Sequence, residues 1–400
     1  MKNAAHQVNL EWKDFPEDWT IHNSFATGQN KQQLIWKDSL WLEAIFLGGK
    51  FRQHTIHVED DPIHIAMRGD WQFSDEEYVD LLKKVIVQQR KFWNDYEFPY
   101  FTVTLIPFME EDQGYSFQGS GLRNAFSLQA TPNTELSNFE YLFNHEMMHE
   151  WIGGQIKTAE PEEFRYWFSE GFTDYFTFIN MRENGLLDEQ GYIDAMNDVI
   201  QKYYALPTRT VTNQELGENF HSDYQNYGKL GYHRGCLFAT HVDWKIRQDS
   251  KGKKTLKDAM QTMLNICKKE KVQMSDGLFI EVMNRYLKNS IQPDLEKYII
   301  EGNLIPLENW MLGNNTIVKN ETVDVFDIGF DFDKSKTAKK IIGLKEDSNA
   351  YKAGIREGQP LKGYGLHFGQ MNQEAEIVVE VEGIVFLNHI IHGINIALLI

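Results

Sequence analysis

The most informative segments of the sequence are HEMMH at residues 145–149 and WFSEGFTDYF at residues 167–176. Residues four apart share one face of an α-helix, so the two histidines can grip one metal ion while Glu146 reaches the water beside it. Three protein ligands leave one coordination position open, which is typical of a catalytic zinc site rather than a structural one. The predicted metal ligands are His145, His149 and Glu170.

The flanking residues predict two helices around this motif. Ser137 and Glu140 have the spacing of a capping box, and the apolar pattern that follows predicts a helix over residues 138–152. A second apolar pattern predicts a helix that carries Glu170 in its first turn and ends near Gly185. The alternative is a chance match on an ordinary amphipathic helix. The second segment argues against it, because it supplies the missing ligand at a suitable place.

The composition limits the possible functions. The chain has 400 residues, enough for two or three domains, and a formal charge of −18. Such a negative charge argues against nucleic acid as a partner and disfavours anionic membrane surfaces. Cys236 and Cys267 lie in segments with a helical pattern and are expected to be buried thiols rather than a disulfide.

No signal peptide or membrane span is expected from the sequence. The first residues lack an apolar stretch, and polar residues interrupt the apolar segment 383–400. The chain is therefore expected to be cytosolic or a processed form of an exported protein.

Three parts are expected along the chain. Residues 1–73 form a β-rich N-terminal segment, residues 74–303 an α+β domain and residues 304–400 a small β module. The α+β part is expected to open with a long helix capped by Ser74 and Glu77. Later elements of this part are expected as follows: a strand at 101–107, a glycine-rich turn at 114–121, a strand near 122–130, and helices at 189–204, 229–247, 255–268, 276–288 and 293–301. The β module is expected to contain strands at 323–332, 340–344 and 376–381, and a short helix within 348–358.

The two motifs together resemble the gluzincin metallopeptidases, whose third zinc ligand is a glutamate in a second helix. Within that group the chain is most similar to the glycyl aminopeptidase family, over residues 74 to 382. This resemblance implies a thermolysin-like catalytic domain, a Zn²⁺ cofactor and a peptide or protein substrate. It also implies a C-terminal PDZ-like domain that can hold a peptide C-terminus, with Ile328-Gly329-Phe330 as the carboxylate-binding loop and DSNAYKAGIREGQ as the helix and turn after it.

The resemblance also assigns roles to other residues. Tyr227 and Tyr232 are similar to the tyrosine pair of gluzincins, and Tyr232 would donate its hydroxyl to the oxyanion that develops at the scissile carbonyl. Glu146 would be the general base that takes the proton of the attacking water. Asp174, one turn after Glu170, is either a group that orients a ligand or an exposed helix carboxylate.

One segment departs from the family pattern. Related exopeptidases place a glutamate after a glycine-rich strand, where it holds the free amino group of the substrate. Here the expected substrate-binding residues are Gly121, Leu122, Arg123 and Asn124. Arg123 stands where the acid is expected, and a cation repels an ammonium group. Preference for free N-termini is therefore expected to be lost, while main-chain groups of the strand can still align a peptide.

Three classes of function are compatible with these features: a zinc peptidase, a catalytically silent relative that only binds peptides, and a structural-zinc protein. A binder needs no general base, so Glu146 favours the first class over the second. The open coordination position disfavours the third. Within the first class, an aminopeptidase that releases N-terminal residues such as glycine is the alternative to a peptidase without that specificity.

Overall fold

The computed structural model describes residues 5–37, 44–96, 100–108, 115–122, 124–159, 161–313, 316–324, 327–366, 375–381, 384–390 and 395–399. The chain divides into two compact units. The first comprises Met1–Ala195 and Ile246–Ser290, and the second comprises Met196–Lys245 and Ile291–Ile400. The architecture is mixed α+β, with a β-rich N-terminal part followed by a helical part.

Strands dominate the beginning of the first unit. They are β1 (Ala5–Glu11), β2 (Thr20–Asn23), β3 (Lys31–Lys37), β4 (Phe46–Gly49), β5 (Arg52–Val58), β6 (Asp61–Met67), β7 (Phe101–Pro107), β8 (Phe117–Leu122) and β9 (Ala125–Ala130). β1 pairs with β3 and β2 pairs with β4, both antiparallel.

Helices make up the rest of the first unit and part of the second. They are α1 (Asp75–Trp93), α2 (Asn138–Met148), α3 (Tyr166–Ser169), α4 (Gly171–Glu183), α5 (Glu189–Ala205), α6 (Asn213–Asn219), α7 (Lys229–Ser250), α8 (Leu256–Glu270), α9 (Asp276–Asn284) and α10 (Gln292–Asp294). π-Helical turns occupy Tyr224–Gly228, before α7, and Leu295–Ile300, after α10.

A five-stranded sheet in the order β5-β6-β7-β9-β8 organises the first unit. β6, β7 and β9 run parallel, whereas β5 and β8 pair antiparallel at the two edges. Apolar side chains from the sheet, α1 and α2 form one buried core, in which Phe139, Phe143 and Met147 are the contribution of α2. Each such side chain contributes about 1.5–3 kcal/mol on burial. The sheet therefore provides a rigid support for α2.

The C-terminal part of the second unit has a core of its own. Its elements are β10 (Asn320–Asp324), α11 (Phe332–Ala338), α12 (Asn349–Lys352), β11 (Leu361–Gly365), β12 (Ala375–Val381), β13 (Ile384–Ile390) and β14 (Asn395–Leu399). β11, β12 and β13 form an antiparallel sheet, and β10 pairs with β14. The buried residues Ile328, Phe330, Ile341, Ile355 and Ile377 belong to this core.

Several sequence predictions are confirmed. α1 begins with the predicted capping box: Ser74 Oγ accepts from the Glu77 amide and Glu77 accepts from the Ser74 amide. β7, β12 and the helices α5, α7 and α8 lie where the patterns place them. The short helix α12 falls within the predicted range. Cys236 and Cys267 are both buried free thiols.

The helices around the HEMMH motif differ from the prediction. α2 ends at Met148 with His149 as its C-cap, so it is shorter than the predicted helix over 138–152. The expected capping box at Ser137 is wrong, because this residue is itself helical (φ −57°, ψ −30°) and its side chain makes no cap hydrogen bond. The second predicted helix is interrupted at Glu170, which separates α3 from α4.

Other corrections concern strands. The predicted turn over 114–121 is wrong for residues 117–121, which belong to β8, because pairing with β9 outweighs the low strand preference of glycine. The strand predicted over 323–332 is wrong for residues 327–332, since Asp331 caps helix α11 by accepting from the Lys334 amide. The strand predicted over 340–344 is only an isolated bridge at Lys340.

None of the helices in the described ranges combines the length and the apolar character that a membrane crossing requires.

The two serines at the starts of α1 and α2 offer a matched test of helix capping. We expect Ser74→Ala to lower the free energy of unfolding by about 1 kcal/mol, because the Glu77 amide loses its acceptor. Ser137→Ala should cost much less, because no cap hydrogen bond is lost. Urea unfolding followed by circular dichroism measures both. Equal losses in the two variants would contradict this interpretation of the caps.

Candidate metal centre

The three predicted ligands come together between α2 and the junction of α3 and α4. His145 lies in the last turn of α2, His149 is the C-cap residue of that helix, and Glu170 is the residue between α3 and α4. His145 is buried, whereas the side chains of His149 and Glu170 are partly exposed. Among the residues that the structure describes, no other group of three His, Cys, Asp or Glu converges in this way.

The spacing of the ligand atoms fits zinc. The Nε2 atoms of His145 and His149 are 3.2 Å apart, and each lies 3.4 Å from Glu170 Oε2. Ligands at about 2.0–2.1 Å from a tetrahedral zinc ion are separated from one another by roughly 3.3–3.4 Å. Two nitrogens and one carboxylate oxygen are also the donor set of known catalytic zinc sites. The residues present therefore fit a zinc ion in both geometry and chemistry.

The Nδ1 atoms of both histidines, which face away from the other ligand atoms, also have partners at hydrogen-bond distance. His145 Nδ1 lies 2.9 Å from Asp174 Oδ1, and His149 Nδ1 lies 3.1 Å from the Ile152 carbonyl oxygen. An N–H donated outward leaves Nε2 of each ring as the lone-pair donor toward the metal. The Tyr141 hydroxyl donates to the same Asp174 oxygen, at 2.5 Å. Asp174 is thus buried behind the metal centre, and the alternative of an exposed helix carboxylate is wrong.

The electrostatics of the cluster favour a cation. Burial by itself lowers the pKa of His145, but Asp174 and Glu170 outweigh it and raise the pKa to about 10. Burial would raise the pKa of Glu170, but the two histidines hold it well below its usual value. Both shifts arise because two carboxylates flank the imidazoles in a site shielded from water. The same negative charge favours a divalent ion among the three ligand atoms.

Glu146 faces the edge strand β8. Its Oε2 atom accepts a hydrogen bond from the Gly121 amide, at 3.2 Å. A Cβ atom on Gly121 would point toward the Glu146 residue, so neighbouring Leu122 projects to the opposite face of the strand. β8 is a terminal strand of the sheet as described, which leaves one side of it without a strand partner.

The remaining residues of this segment differ in what they contact. Arg123 lies outside the described residues. Asn124 has a left-handed backbone (φ +49°) at the turn between β8 and β9, and its side-chain amide donates to the Ser24 carbonyl, at 3.3 Å. This contact shows a structural use of Asn124 in the hairpin.

The two tyrosines lie in the second unit. Tyr227 is in the π-helical turn before α7, and its hydroxyl donates to Glu215, at 3.1 Å. Tyr232 lies in the first turns of α7 and is half-buried, with the Lys229 ammonium 5.4 Å from its ring centroid. π-Helical turns often occur at functional sites.

The loop at residues 328–330, predicted to bind a carboxylate, already contacts a carboxylate of the chain itself, that of Asp327. The Gly329 amide donates to Asp327 Oδ1, at 2.7 Å, and Asp327 pairs with Lys345. Gly329 has φ +84°, and a Cβ atom there would come within 2.3 Å of Ser348, so this position requires glycine.

Two features of the site were missed by the sequence analysis. Tyr141 lies one helical turn before His145, a spacing that could have indicated the contact with Asp174. The Ile152 carbonyl that faces His149 could not be predicted, because a helix was expected to continue through that residue.

Comparison with protein families gives one match. Residues 138–229 match the M61 glycyl aminopeptidase family. This range contains all three candidate metal ligands, Glu146 and Tyr227, and it ends just before Tyr232. No curated protein sequence matches the chain.

Solved structures of similar fold cover more of the chain. An aminopeptidase N family protein from Idiomarina loihiensis is similar over 95% of this chain and 75% of its own, with 16% identity and a TM-score of 0.68. An M1 zinc metallopeptidase from Deinococcus radiodurans is similar over 76% of this chain and 66% of its own, with 16% identity and a TM-score of 0.51. At this level of identity the likeness concerns the fold alone.

The family match covers the segment in which two imidazoles and a carboxylate converge at zinc-like spacing. Over residues 138–229 the chain is therefore similar to the M61 glycyl aminopeptidases, and this similarity supports a metallopeptidase.

Proposed function

We propose that the chain hydrolyses peptide bonds at a zinc ion held by His145, His149 and Glu170, with Glu146 as the general base. The observation that carries this proposal is the 3.2–3.4 Å spacing of the three ligand atoms. The orientation of both imidazoles by partners at Nδ1 supports it further.

Zinc in this position supplies Lewis acidity, which makes water a nucleophile near neutral pH. The Glu146 carboxylate takes the proton from the attacking water and then delivers it to the leaving amine. The Gly121 amide restricts Glu146 to one orientation through the hydrogen bond to Oε2. The resemblance to gluzincins assigns donation to the oxyanion to the Tyr232 hydroxyl, and a part in substrate binding to Tyr227.

The proposed architecture around this site is thermolysin-like. In it, a peptide lies along the free side of β8 and pairs with main-chain groups of residues 119–122. Gly121 connects the two functions, because it belongs to this edge strand and contacts Glu146. Main-chain hydrogen bonds align a substrate without contacting its side chains, so this binding mode suits a peptidase of broad side-chain preference.

A catalytically silent peptide binder is the second candidate. It would use the same edge strand and the same ligands. The contact between Glu146 and the strand favours hydrolysis, because a binder gains nothing from a carboxylate at the point where the scissile bond would lie.

For the C-terminal part we propose a PDZ-like module that can hold a peptide C-terminus at residues 328–330. Support comes from its separate core and from the tight turn at Gly329. A ligand carboxylate would have to displace Asp327 from the Gly329 amide.

The first test separates metal binding from catalysis. We expect wild-type protein to bind one zinc ion per chain, and Glu146→Gln to keep that zinc while turnover falls by about 10²–10⁴-fold, because the amide cannot accept the proton. Atomic emission measures the metal, and peptide hydrolysis is followed on the same preparation. Glu140→Gln is the matched control, since it makes the same change on the same helix. Undiminished turnover in Glu146→Gln would rule out its role as the base.

The second test concerns the support of His145. We expect Asp174→Asn to weaken zinc binding by roughly 10–100-fold, because the ring loses its ionised partner. Tyr141→Phe should weaken it less, because the Asp174 carboxylate stays in place. Competition with a chelator gives both affinities. Asp198→Asn changes an exposed carboxylate on α5 and should leave the affinity unchanged. Equal affinities in Asp174→Asn and wild type would contradict the proposed role of Asp174.

The third test concerns substrate specificity and Arg123. We expect a free-amine peptide to be cut no better than its N-acetylated form, because a guanidinium stands where the family has a carboxylate. Arg123→Glu should introduce a preference for the free amine. Arg123→Gln is the control, because it removes the repulsion without adding an ion pair.

Mass spectrometry of the products decides this case. A strong preference of wild-type protein for the free amine, with release of single N-terminal residues, would show that another acid holds the ammonium group. The aminopeptidase activity of the similar family would then apply to this chain as well.

A further inference from the structure

The chain reverses direction immediately after the metal-binding helix. The Gly154 amide donates to the His149 carbonyl, at 3.0 Å, and the Ile156 amide donates to the Trp151 carbonyl, at 2.7 Å. A Cβ atom on Gly154 would lie 2.5 Å from the Glu150 carbonyl oxygen, so the turn is too tight for a side chain there. We call residues 150–156 the reversal.

The reversal carries the partner of the second zinc histidine. His149 Nδ1 lies 3.1 Å from the Ile152 carbonyl oxygen, which is in the middle of this turn. The direction of that carbonyl sets the rotation of the imidazole and the nitrogen that faces the metal. His145 differs, because a side chain holds its outer nitrogen.

The buried Asp95 carboxylate accepts hydrogen bonds from two side chains of the reversal. Asp95 Oδ2 accepts from Trp151 Nε1 at 2.9 Å and from Gln155 Nε2 at 3.0 Å. Its other oxygen, Oδ1, accepts from the Lys268 ammonium, at 3.1 Å. Trp151 and Gln155 lie on either side of Ile152, so a shift of Asp95 would move the carbonyl between them.

The Asp95 carboxylate is charged at neutral pH. Burial by itself raises the pKa of Asp95, but hydrogen bonds from Gln155, Lys268 and Trp151 outweigh it and hold the pKa below its usual value. Hydrogen bonds to an ionised acceptor are about twice as strong as neutral ones, and they are stronger still away from water. Trp151 is also buried and stacks on Trp93, with ring centroids 5.8 Å apart.

We infer that Asp95 is a positioning residue of the metal centre: its carboxylate fixes the reversal and, through the Ile152 carbonyl, the orientation of His149. Asp95 acts through other residues and is not assigned contact with metal or substrate. The inference rests on the proposed zinc site and adds to it a support from a residue that lies far upstream in the sequence.

The test compares two carboxylates that each pair with a lysine, in the full chain. Asp95→Asn removes the charge that holds the reversal. Asp294→Asn is the control, because Asp294 also accepts from two ring or ammonium groups, those of His241 and Lys245, in a different network. Zinc affinity is measured by competition with a chelator, and the Co²⁺-substituted protein is examined by absorption spectroscopy. Circular dichroism verifies folding.

We expect Asp95→Asn to weaken zinc binding by roughly 10–100-fold and to change the Co²⁺ spectrum, as loss of an outer partner typically does. Asp294→Asn should leave the affinity within about 2-fold of wild type even if it lowers stability as much. A folded Asp95→Asn variant with wild-type affinity and spectrum would overturn the inference.

Two milder variants decide the matter if Asp95→Asn does not fold. Trp151→Phe and Gln155→Leu each remove one donor to Asp95 and keep the carboxylate. Each of the two variants should weaken zinc binding. Unchanged affinity in both would overturn the inference. Failure of the proposed zinc site itself has a different signature, because the wild-type protein would then not bind zinc in the first place.

Discussion

The candidate site depends on one arrangement, in which the imidazoles of His145 and His149 and the Glu170 carboxylate have their ligand atoms within 3.4 Å of one another. The α-helix supplies only half of this arrangement, since the spacing of four residues places His145 and His149 on one face. Glu170 has to be delivered by the packing of α4 against α2. Phe178 of α4 contacts Tyr141 of α2, with ring centroids 5.7 Å apart. On the same helix as Phe178, Phe176 contacts Phe92 and Trp93 at the end of α1. Packing in the core therefore sets the spacing of the three candidate ligand atoms.

Whether a feature can be predicted from the sequence depends on how far apart along the chain the interacting residues lie. The helix α1 and its capping box depend on residues three and four apart, and both were predicted correctly. The proximity of His145 and His149 could be predicted for the same reason, because residues four apart share one face of a helix. In contrast, the strand at Gly119–Gly121 depends on pairing with β9, and its glycines taken alone indicate a turn. The end of α2 at Met148 depends on a turn whose support comes from distant residues.

The charge of the whole chain and the charge of the site have different consequences. A net charge of −18 concerns solubility and the choice of partners. Within the site, each charge acts on its immediate neighbours in a medium of low polarity. That is why Asp174 and Glu170 raise the pKa of His145 to about 10 although burial opposes it. The composition argues against nucleic acid as a partner, but it could not have indicated this local field.

The two histidines proposed as zinc ligands have different kinds of hydrogen-bond partner. This asymmetry explains why a motif alone does not make a metal centre. His145 is held by Asp174 and Tyr141, which lie on the same two helices as the ligands. His149 is held by a main-chain carbonyl, which no side-chain pattern records. The position of that carbonyl depends on a buried carboxylate after α1 and an ammonium on α8. A short motif can thus specify the ligands and one of their supports, while the second support requires the packed fold around them.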